Sequence, residues 1–396
     1  MSDEPRILVL NAGSSSIKCG VYPLAGGGRR SIGIQSDFEA AGGRLTIRLA
    51  DGPVVHEAMP HPAGGEIIWQ VAVRILLSRA LAAAGGPVVA VGHRIVHGGL
   101  EFAGPVAVTD HVIEGIEALV PLAPLHQPHG LAGIHAAIAA LPDALQVACF
   151  DTAFHRSCLP VAMRFALPRR WHDAGVRRYG FHGLSYESIV DQLPGVTGGM
   201  PDRGIVAHLG AGASLCGIRA GRSLATTMGF TPLDGLVMAT RCGSIDPGAV
   251  LHLILREGIA AAEVERMLWR ESGLLGVSDE SGDMRVLLES DDPQGAEAVE
   301  LFCHRAVREI GSLTAALGGL DTLVFTAGIG EHAAQIRARI AAGLEWLGVE
   351  IDPDANAAHG PRISRPASRV SAWVIPTDEE AVIAAHVRQV ARSHLR

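Results

Sequence analysis

The chain has 396 residues, of which 48% are hydrophobic and 19% are charged, a balance typical of a globular protein and not of a disordered one. This length exceeds the size at which one hydrophobic core usually divides, so we expect two domains. The net charge of −8, without a basic stripe, argues against a nucleic-acid partner, and the lack of a long apolar run argues against a membrane partner. We expect a cytoplasmic protein, because the N-terminal segment lacks signal-peptide features and the scattered cysteines suit reduced thiols.

Apolar runs and helical periodicity predict alternating strands and helices, and therefore an α/β fold. The predicted strands are 7–10, 18–22, 88–91, 146–150, 205–209, 214–218, 323–326 and 373–376. The predicted helices are 66–84, 130–140, 185–193, 247–257, 260–272, 294–317, 332–347 and 379–393. Residues 37–57 alternate weakly and predict an antiparallel insertion. We expect one domain to comprise residues 1–151 with 380–396, and the other to comprise residues 152–379.

The first predicted strand leads into the sequence NAGSSSIK, residues 11–18. A turn of Gly and Ser brings backbone N–H groups and hydroxyls against an anion without a Cβ in the way. Ser14, Ser15 and Ser16 supply donors, and Lys18 supplies a positive charge. Asn11 supplies an oxygen that suits a metal ion, directly or through water. An ordinary Gly/Ser hairpin turn is the alternative reading of this segment alone.

The same strand–turn–strand pattern returns at HLGAGAS, residues 208–214, where Gly210, Gly212 and Ser214 offer backbone donors. The matched pair of turns indicates two domains of like topology with a nucleotide between them. A further segment, TAGIGEH at 326–332, ends a strand and enters a helix, which suits contact with an adenosine. Walker A and GxGxxG patterns are absent, which argues against P-loop enzymes and Rossmann dehydrogenases.

Charged and ring side chains gather in the loops between the apolar runs, where functional residues tend to lie. Each alone has a structural alternative as a turn or capping residue. Together they supply arginines, histidines and carboxylates near phosphate-type turns, the set that phosphoryl transfer requires. These residues are Arg94, His97, His126, Asp151, Arg178, His182, Arg241, Asp246, Asp378 and Glu379.

From end to end, the chain resembles the acetate kinase family, of the acetate, propionate and butyrate kinase group within the superfamily of sugar kinases, Hsp70 and actin. The resemblance rests on ordered motifs from NAGSSSIK to PTDEE, among them HRIVHGG, FDTAFH, RRYGFHG, MGFTPLDGL and TAGIGE. It implies two duplicated ribonuclease-H-like, actin-like ATPase domains with a nucleotide cleft between them. It also implies a homodimer that uses Mg²⁺, with Mn²⁺ as a substitute, and that interconverts ATP and acetate with ADP and acetyl phosphate.

The resemblance also implies roles for individual residues. The implied catalytic residues are Arg94, His126, Asp151, His182 and Arg241, with the two arginines holding carboxylate and phosphoryl charge. The implied pocket for the acyl methyl comprises Val96, Leu125, Phe181 and Pro232. The implied metal-binding residues are Asn11 and Glu379. The implied nucleotide-binding residues are Ser14, Ser16, Lys18, His208, Leu209, Gly210, Ala211, Gly212, Asp283, Met284, Arg285, Gly328, Ile329, Gly330, Glu331 and His332.

Five positions depart from the family pattern. Ala211 replaces the Asn of HLGNG, Ser244 replaces the Asp of TRxGDIDP, and Ala225 replaces the Asp of DTSMG. Gln127 and His332 each replace an Asn. These changes fall on the nucleotide side and around the reacting residues, so they bear on the phosphoryl donor more than on the reaction. ATP is the expected donor, with another nucleotide or an inorganic donor as the alternative.

Three other functions compete with acetate kinase. A propionate or butyrate kinase would need a longer acyl pocket, which a β-branched wall at Val96 disfavours. A sugar kinase would need a carboxylate base for a neutral hydroxyl, whereas the paired arginines suit an anionic substrate. A nucleotide-dependent switch without catalysis would have no physical need for Arg94, His182, Arg241 and Glu379.

Overall fold

The computed structural model describes residues 4–13, 16–26, 30–37, 44–49, 54–58, 68–124 and 126–394. It divides into two compact units, residues 1–153 with 378–396 and residues 154–377. The sequence analysis placed these boundaries after residues 151 and 379. In the structure Glu379 therefore falls in the first unit, on the same side of the division as Asn11.

The elements follow one another along the chain as short strands and mostly short helices. The strands are β1 (Arg6–Ala12), β2 (Ser16–Pro23), β3 (Ile32–Asp37), β4 (Arg44–Leu49), β5 (Val54–Ala58), β6 (Val88–Ile95), β7 (Val106–Ala107), β8 (Leu145–Phe150), β9 (Arg203–Leu209), β10 (Ala213–Arg219), β11 (Arg222–Thr226), β12 (Thr322–Thr326) and β13 (Ser371–Val374). The helices are α1 (Ile68–Ala83), α2 (Asp110–Ala118), α3 (Gln127–Ala140), α4 (Arg169–Asp173), α5 (Gly183–Thr197), α6 (Pro247–Leu255), α7 (Ala261–Arg270), α8 (Gly273–Ser278), α9 (Met284–Glu289), α10 (Pro293–Leu317), α11 (Ala327–His332), α12 (Ala334–Ala342), α13 (Pro353–Ala357) and α14 (Glu379–His394).

The first unit is built on a sheet of order β5-β4-β3-β2-β1-β6-β8-β7. Strands β1, β6 and β8 are parallel, and β2 to β5 extend the sheet as an antiparallel meander. The meander confirms the predicted antiparallel insertion. Alternate side chains of β1 and β2, such as Leu8, Leu10 and Ile17, join Trp69 and Leu76 of α1 in one core. Helix α14 packs against β1, β6 and β8.

The second unit is built on a sheet of order β11-β10-β9-β12-β13. Strands β9, β12 and β13 are parallel, and β10 and β11 are antiparallel to their neighbours. The segment β3-β2-β1-β6-β8 of the first sheet has the same order and the same strand directions. This repeat confirms the predicted duplicated topology, and it places the β1–β2 and β9–β10 turns at equivalent points.

Several predicted elements differ in detail. The predicted helix 332–347 is wrong as a single element, because α12 ends at Ala342 and a separate 3₁₀ turn spans Glu345–Leu347. At the break, a Cβ on Gly343 would lie 2.8 Å from Val307 Cγ2, so that α10 approaches the backbone here more closely than a side chain allows. The sequence analysis also missed β7, β11 and α2, of which β7 has only two residues, too few for a periodic signal.

The six cysteines are free thiols, as predicted. No helix within the described ranges has both the length and the apolar character needed to span a bilayer.

Candidate active site

Three polar side chains lie at the ends of neighbouring strands of the first sheet. Asn11 lies near the end of β1, Arg94 near the end of β6, and Asp151 directly after β8. Because these parallel strands end at one edge of the sheet, their side chains meet there. Arg94 Nη2 donates to Asp151 Oδ2 at 2.7 Å, and Arg94 Nη1 donates to Asn11 Oδ1 at 3.2 Å.

The Arg94–Asp151 pair is an ion pair removed from water. The side chain of Asp151 is 1% exposed and that of Arg94 is 17% exposed. Burial opposes the charge of the guanidinium, but Asp151 and Glu379 raise the pKa of Arg94 above its ordinary value. Burial raises the pKa of Asp151, and the contact with Arg94 opposes that rise. We therefore treat both groups as charged and fixed in orientation.

Glu379, the first residue of α14, belongs to the same cluster. Its Oε2 accepts a hydrogen bond from Asn11 Nδ2 at 2.9 Å and lies 4.0 Å from Arg94 Nε. The preceding Asp378 caps the helix, because its Oδ1 accepts from Ala381 N at 3.0 Å. The two acidic residues therefore have different contacts: Asp378 caps α14, and Glu379 accepts a hydrogen bond from Asn11.

The loop after β6 is held by a buried glutamine. Gln127 Nε2 donates to the His97 carbonyl at 2.7 Å, and its Oε1 accepts from His97 N at 3.2 Å. This clamp fixes the backbone next to Val96, which is buried. His126 is the N-cap residue of α3 and is half-buried. Leu125, the remaining predicted residue of this segment, lies outside the described residues.

In the second unit, His182 has a left-handed backbone with φ 59° and precedes α5. Its Nδ1 lies 2.8 Å from Ser214 Oγ, and Tyr186 Oη lies 2.5 Å from the same oxygen. The ring stacks on His208 with 4.1 Å between centroids. Both the backbone and the ring of His182 are therefore held in place.

A buried histidine, His155, binds the backbone just before His182. One ring nitrogen, Nε2, donates to the Phe181 carbonyl at 2.9 Å, and the other, Nδ1, lies 2.8 Å from Ser223 Oγ. Burial lowers the pKa of His155 to about 4, so the ring is neutral. Gly180 leaves room for it, because a Cβ there would lie 2.6 Å from the His155 ring.

Arg241 lies close to His182 beside the β9–β10 turn. A Cβ on Gly212 would lie 3.4 Å from His182 Nε2 and 3.8 Å from Arg241 Nη1. Arg241 Nη1 donates to the Pro232 carbonyl at 3.1 Å, and the guanidinium lies over the Trp269 ring at 5.3 Å. The turn is thus bordered by a cation and an imidazole.

The candidate nucleotide residues fall in three places of the second unit. The β9–β10 hairpin carries His208 to Gly212, with Ala211 exposed at its tip. Helix α11 carries the segment 328–332, and Glu331 Oε1 accepts from Ala327 N at 2.9 Å, so that this carboxylate caps its own helix. Asp283 caps α9 by accepting from Arg285 N at 2.9 Å.

Two departures from the family pattern have a structural explanation. Ser244 Oγ donates to Asp234 Oδ1 at 2.7 Å, where an aspartate would place two carboxylates together. Gln127 makes the clamp on His97 described above. Ala211 makes no side-chain hydrogen bond, and nothing in the structure explains Ala225 or His332.

The structure brings the predicted residues together in two groups, one in each unit. Asn11, Arg94, Asp151 and Glu379 form the first, whereas His182, His208, Arg241 and Gly212 form the second. Ser14 lies outside the described residues, and for Ser16 only the backbone, in β2, is described. Lys18 is exposed on β2, directly opposite Asn11 in the register.

Sequence analysis gave no side-chain role to three residues that hold His182 in place. Ser214 was predicted only as a backbone donor, Tyr186 only as part of the helix 185–193, and His155 only as the end of FDTAFH. Each is a polar residue within a largely apolar segment, which the sequence does show. That pattern alone does not identify the hydrogen-bond partner of each side chain.

Comparison with known proteins decides the family. The model of the acetokinase family matches residues 6–385. The chain belongs to the acetokinase family. An acetate kinase of Rhodopseudomonas palustris is 51% identical over an alignment of 409 residues that covers 99% of each chain. An acetate kinase of Methylocella silvestris is 46% identical over 96% of each chain.

Solved structures of the family have the same fold. A propionate kinase of Francisella tularensis matches with a TM-score of 0.89 at 33% identity, covering 98% of this chain and 100% of that one. An acetate kinase of Porphyromonas gingivalis matches with a TM-score of 0.84 at 34% identity, covering 98% and 99%. The predicted fold class and family are confirmed.

Proposed function

We propose that the chain transfers the γ-phosphoryl group of ATP to the carboxylate of acetate, reversibly and with Mg²⁺, giving acetyl phosphate and ADP by direct in-line transfer. The acetate kinase activity rests on family membership and on full-length relatives of that name. The assignment of steps to residues is our own. The observation that carries it is the Arg94–Asp151 pair, with Asn11 and Glu379, at the edge of the first sheet.

The chemistry needs charge neutralisation and not a strong base. A carboxylate with a reference pKa of about 4 to 5 is already ionised at neutral pH. One of its oxygens attacks the γ-phosphorus, and the bond from that phosphorus to the bridging oxygen of ADP breaks. We assign Arg94 and Arg241 to the charges of the carboxylate and of the moving phosphoryl group. A planar guanidinium suits both groups better than an ammonium does.

His182 is assigned to donate a hydrogen bond to the phosphoryl group in transit, with His126 as a second ring donor. Asp151 is assigned to orientation, because its oxygens already accept from Arg94 Nε and Nη2. We infer that it does not abstract a proton, since the substrate has none to give at neutral pH.

The residues of the first group fit Mg²⁺. The ion takes oxygen ligands and usually keeps several waters, with one or two carboxylates and the phosphates of the substrate. Asn11 Oδ1 and the Glu379 carboxylate offer such oxygens in one cluster, which Arg94 joins to Asp151. We propose that Asn11 and Glu379 would hold the ion, directly or through water, and that it would neutralise phosphate charge. Mn²⁺ has the same preference for oxygen.

For the nucleotide, we propose contacts from the β9–β10 turn (His208, Leu209, Gly210, Ala211, Gly212), from α11 (Gly328, Ile329, Gly330, Glu331, His332) and from the segment Asp283, Met284, Arg285. Ser14, Ser16 and Lys18 are proposed on the phosphate side. We also propose a homodimer, as the family resemblance implies, and a cytoplasmic location, as predicted from the N-terminal segment and the cysteines.

The acyl pocket is proposed to comprise Val96, Leu125, Phe181 and Pro232, and it sets the choice of acid. One methylene in such a pocket changes binding by only about 1 to 3 kcal/mol, so propionate is a weaker substrate and not an excluded one. The Francisella tularensis neighbour is named a propionate kinase, which keeps this second candidate open.

The test is an acyl-phosphate assay with hydroxylamine trapping. Acetate, propionate and butyrate are each supplied with Mg²⁺ and with ATP, GTP or pyrophosphate, and Arg241→Ala is the matched inactive control. We expect the highest kcat/KM with acetate and ATP. A signal only with another donor would overturn the choice of ATP, and a preference for propionate would overturn the choice of acid. No signal with any pair would overturn the proposed function.

A further inference from the structure

Three side chains of the second unit, Tyr186, Ser214 and His182, form a hydrogen-bonded chain. The oxygen of Ser214 lies 2.5 Å from Tyr186 Oη and 2.8 Å from His182 Nδ1. Ser214 and Tyr186 are both 0% exposed, whereas the His182 ring is half-buried at the end of the chain. The order of the protons along this chain decides which ring nitrogen of His182 can donate.

Three proton orders are conceivable, because a hydroxyl can donate one hydrogen bond and accept two. In the first, Tyr186 donates to Ser214, and Ser214 donates to His182 Nδ1. In the second, His182 Nδ1 carries the proton and donates to Ser214, which then donates to Tyr186. In the third, Tyr186 and His182 Nδ1 both donate to Ser214.

The second and third orders each leave a buried proton without an acceptor. Among the described residues, Ser214 Oγ is the hydrogen-bond partner of the Tyr186 hydroxyl. In the second order the Tyr186 proton has no acceptor among these residues, and in the third the Ser214 proton has none, which is unfavourable for buried groups. Burial also raises the pKa of Tyr186, so the phenol keeps its proton and acts as a donor. The first order therefore has the lowest free energy.

The first order makes Nδ1 of His182 an acceptor, so that a neutral ring carries its proton on Nε2. That nitrogen faces the β9–β10 turn, since a Cβ on Gly212 would lie 3.4 Å from it. Arg241 Nη1 lies beside the same turn, 3.8 Å from that Cβ position.

We propose that Tyr186 and Ser214 are positioning residues that hold neutral His182 with its proton on Nε2, so that His182 donates to an anionic oxygen without first gaining a charge. The proposal rests on the proposed function for the identity of that oxygen. It adds two side chains that themselves touch no substrate, and it predicts an activity that does not require a protonated histidine.

The backbone of His182 is fixed separately. His155 donates to the carbonyl of the preceding residue, Phe181, and the left-handed φ of His182 starts α5. Loss of the Ser214 hydroxyl should therefore free the tautomer of the ring without moving the turn.

The direct test is ¹⁵N NMR of the histidine rings in the full chain at pH 7.5, with His182→Gln to assign the signal. We expect Nδ1 of His182 to have the shift of an unprotonated nitrogen and Nε2 that of a protonated one. In Ser214→Ala we expect a mixture of the two tautomers. A wild-type ring protonated on Nδ1, or an unchanged tautomer in Ser214→Ala, would overturn the proposal, and neither result depends on which reaction the protein catalyses.

The kinetic test uses kcat at pH 8. Ser214→Ala should lower kcat about tenfold, equivalent to about one hydrogen bond. Ser214→Thr, which keeps the hydroxyl, should restore the wild-type kcat, and Tyr186→Phe should have a smaller effect than Ser214→Ala. A kcat in Ser214→Thr as low as that in Ser214→Ala would indicate a merely structural role and contradict the proposal.

Discussion

At the residue scale, the Arg94–Asp151 pair shows that a charge proposed for catalysis also has a structural partner. Asp151 is fully buried, and Arg94 is its salt-bridge partner. The order of the strands brings the pair together, because β6 and β8 are parallel neighbours whose ends coincide. Both residues were named from the sequence, but their direct contact was not, since the sequence gives no register between strands 57 residues apart.

A double substitution separates the two roles of Arg94. Arg94→Ala leaves a buried carboxylate without its partner, so we expect a loss of about 3 to 5 kcal/mol in the free energy of unfolding and a loss of kcat of two orders of magnitude or more. Adding Asp151→Asn removes the buried charge and should restore part of the stability but none of the activity. Denaturant titration and the acyl-phosphate assay measure both quantities. Recovery of kcat in the double variant would show that the guanidinium is dispensable.

Buried neutral histidines make stability depend on pH. Burial lowers the pKa of His93 to about 4, and its Nε2 donates to Gln146 Oε1 at 2.8 Å. In the unfolded chain this ring takes up a proton near pH 6.5, whereas in the folded chain it does so only near pH 4. The unfolded state therefore binds more protons between these values, so stability is complete above pH 6.5 and falls as the pH drops towards 4.

The expected loss from His93 between pH 7.5 and pH 5 is about 2 kcal/mol. Denaturant titrations of wild type and His93→Gln at the two pH values measure it. The variant should be less stable at pH 7.5 but should lose about 2 kcal/mol less on acidification. An equal loss in both proteins would mean that His93 is not the titrating group.

At the element scale, α14 matters because its first residue is Glu379. The helix packs so closely on β6 that a Cβ on Gly92 would lie 2.5 Å from Ile383 Cγ2 and 2.7 Å from Val387 Cγ2. Ile383 is one turn after Glu379, so a displacement of the helix here moves the carboxylate that meets Asn11.

Gly92→Ala should therefore act on stability and activity together. We expect a loss of about 1 to 3 kcal/mol in the free energy of unfolding from overpacking. We also expect a several-fold lower kcat and a higher Mg²⁺ concentration for half-maximal activity. Gly104→Ala is the matched control, because no atom lies within 4 Å of its Cβ position, and it should change neither quantity. Wild-type stability in Gly92→Ala would contradict the close packing.

The sequence predicted the long elements well and their interruptions poorly. Strands such as β9 and helices such as α10 have clear patterns, and both were found with near-correct bounds. The break before the Glu345–Leu347 turn depends on contact with Val307 of α10, and a local pattern does not contain that contact. Likewise, the motifs named His182 and Arg241, but the chain from Tyr186 through Ser214 depends on the register between β10 and β9 and on the position of α5.

At the scale of the whole molecule, the two units share a sheet topology but differ in the residues at equivalent strand ends. In the first unit the ends of β1, β6 and β8 carry Asn11, Arg94 and Asp151. At the equivalent strand ends of the second unit, β9 leads into the glycines of HLGAG, and β12 leads through Thr326 into α11. Charged side chains suit the reacting groups, whereas exposed backbone with small side chains suits a nucleotide. The same fold thus carries polar and charged side chains at these strand ends in one copy and glycine-rich backbone at the equivalent strand ends in the other.

This division predicts different protection by the two substrates in hydrogen–deuterium exchange of the full chain. Mg·ADP should slow exchange in the β9–β10 turn, at 210–212, and in α11, because ligand binding suppresses local opening. Acetate alone should slow exchange mainly after β6, at 94–98, where the Gln127 clamp holds the loop. Arg285→Ala, a change at an exposed side chain of the proposed nucleotide segment, should weaken the response to Mg·ADP without changing the response to acetate. Protection of 94–98 by Mg·ADP with none at 210–212 would reverse the assignment of the two units.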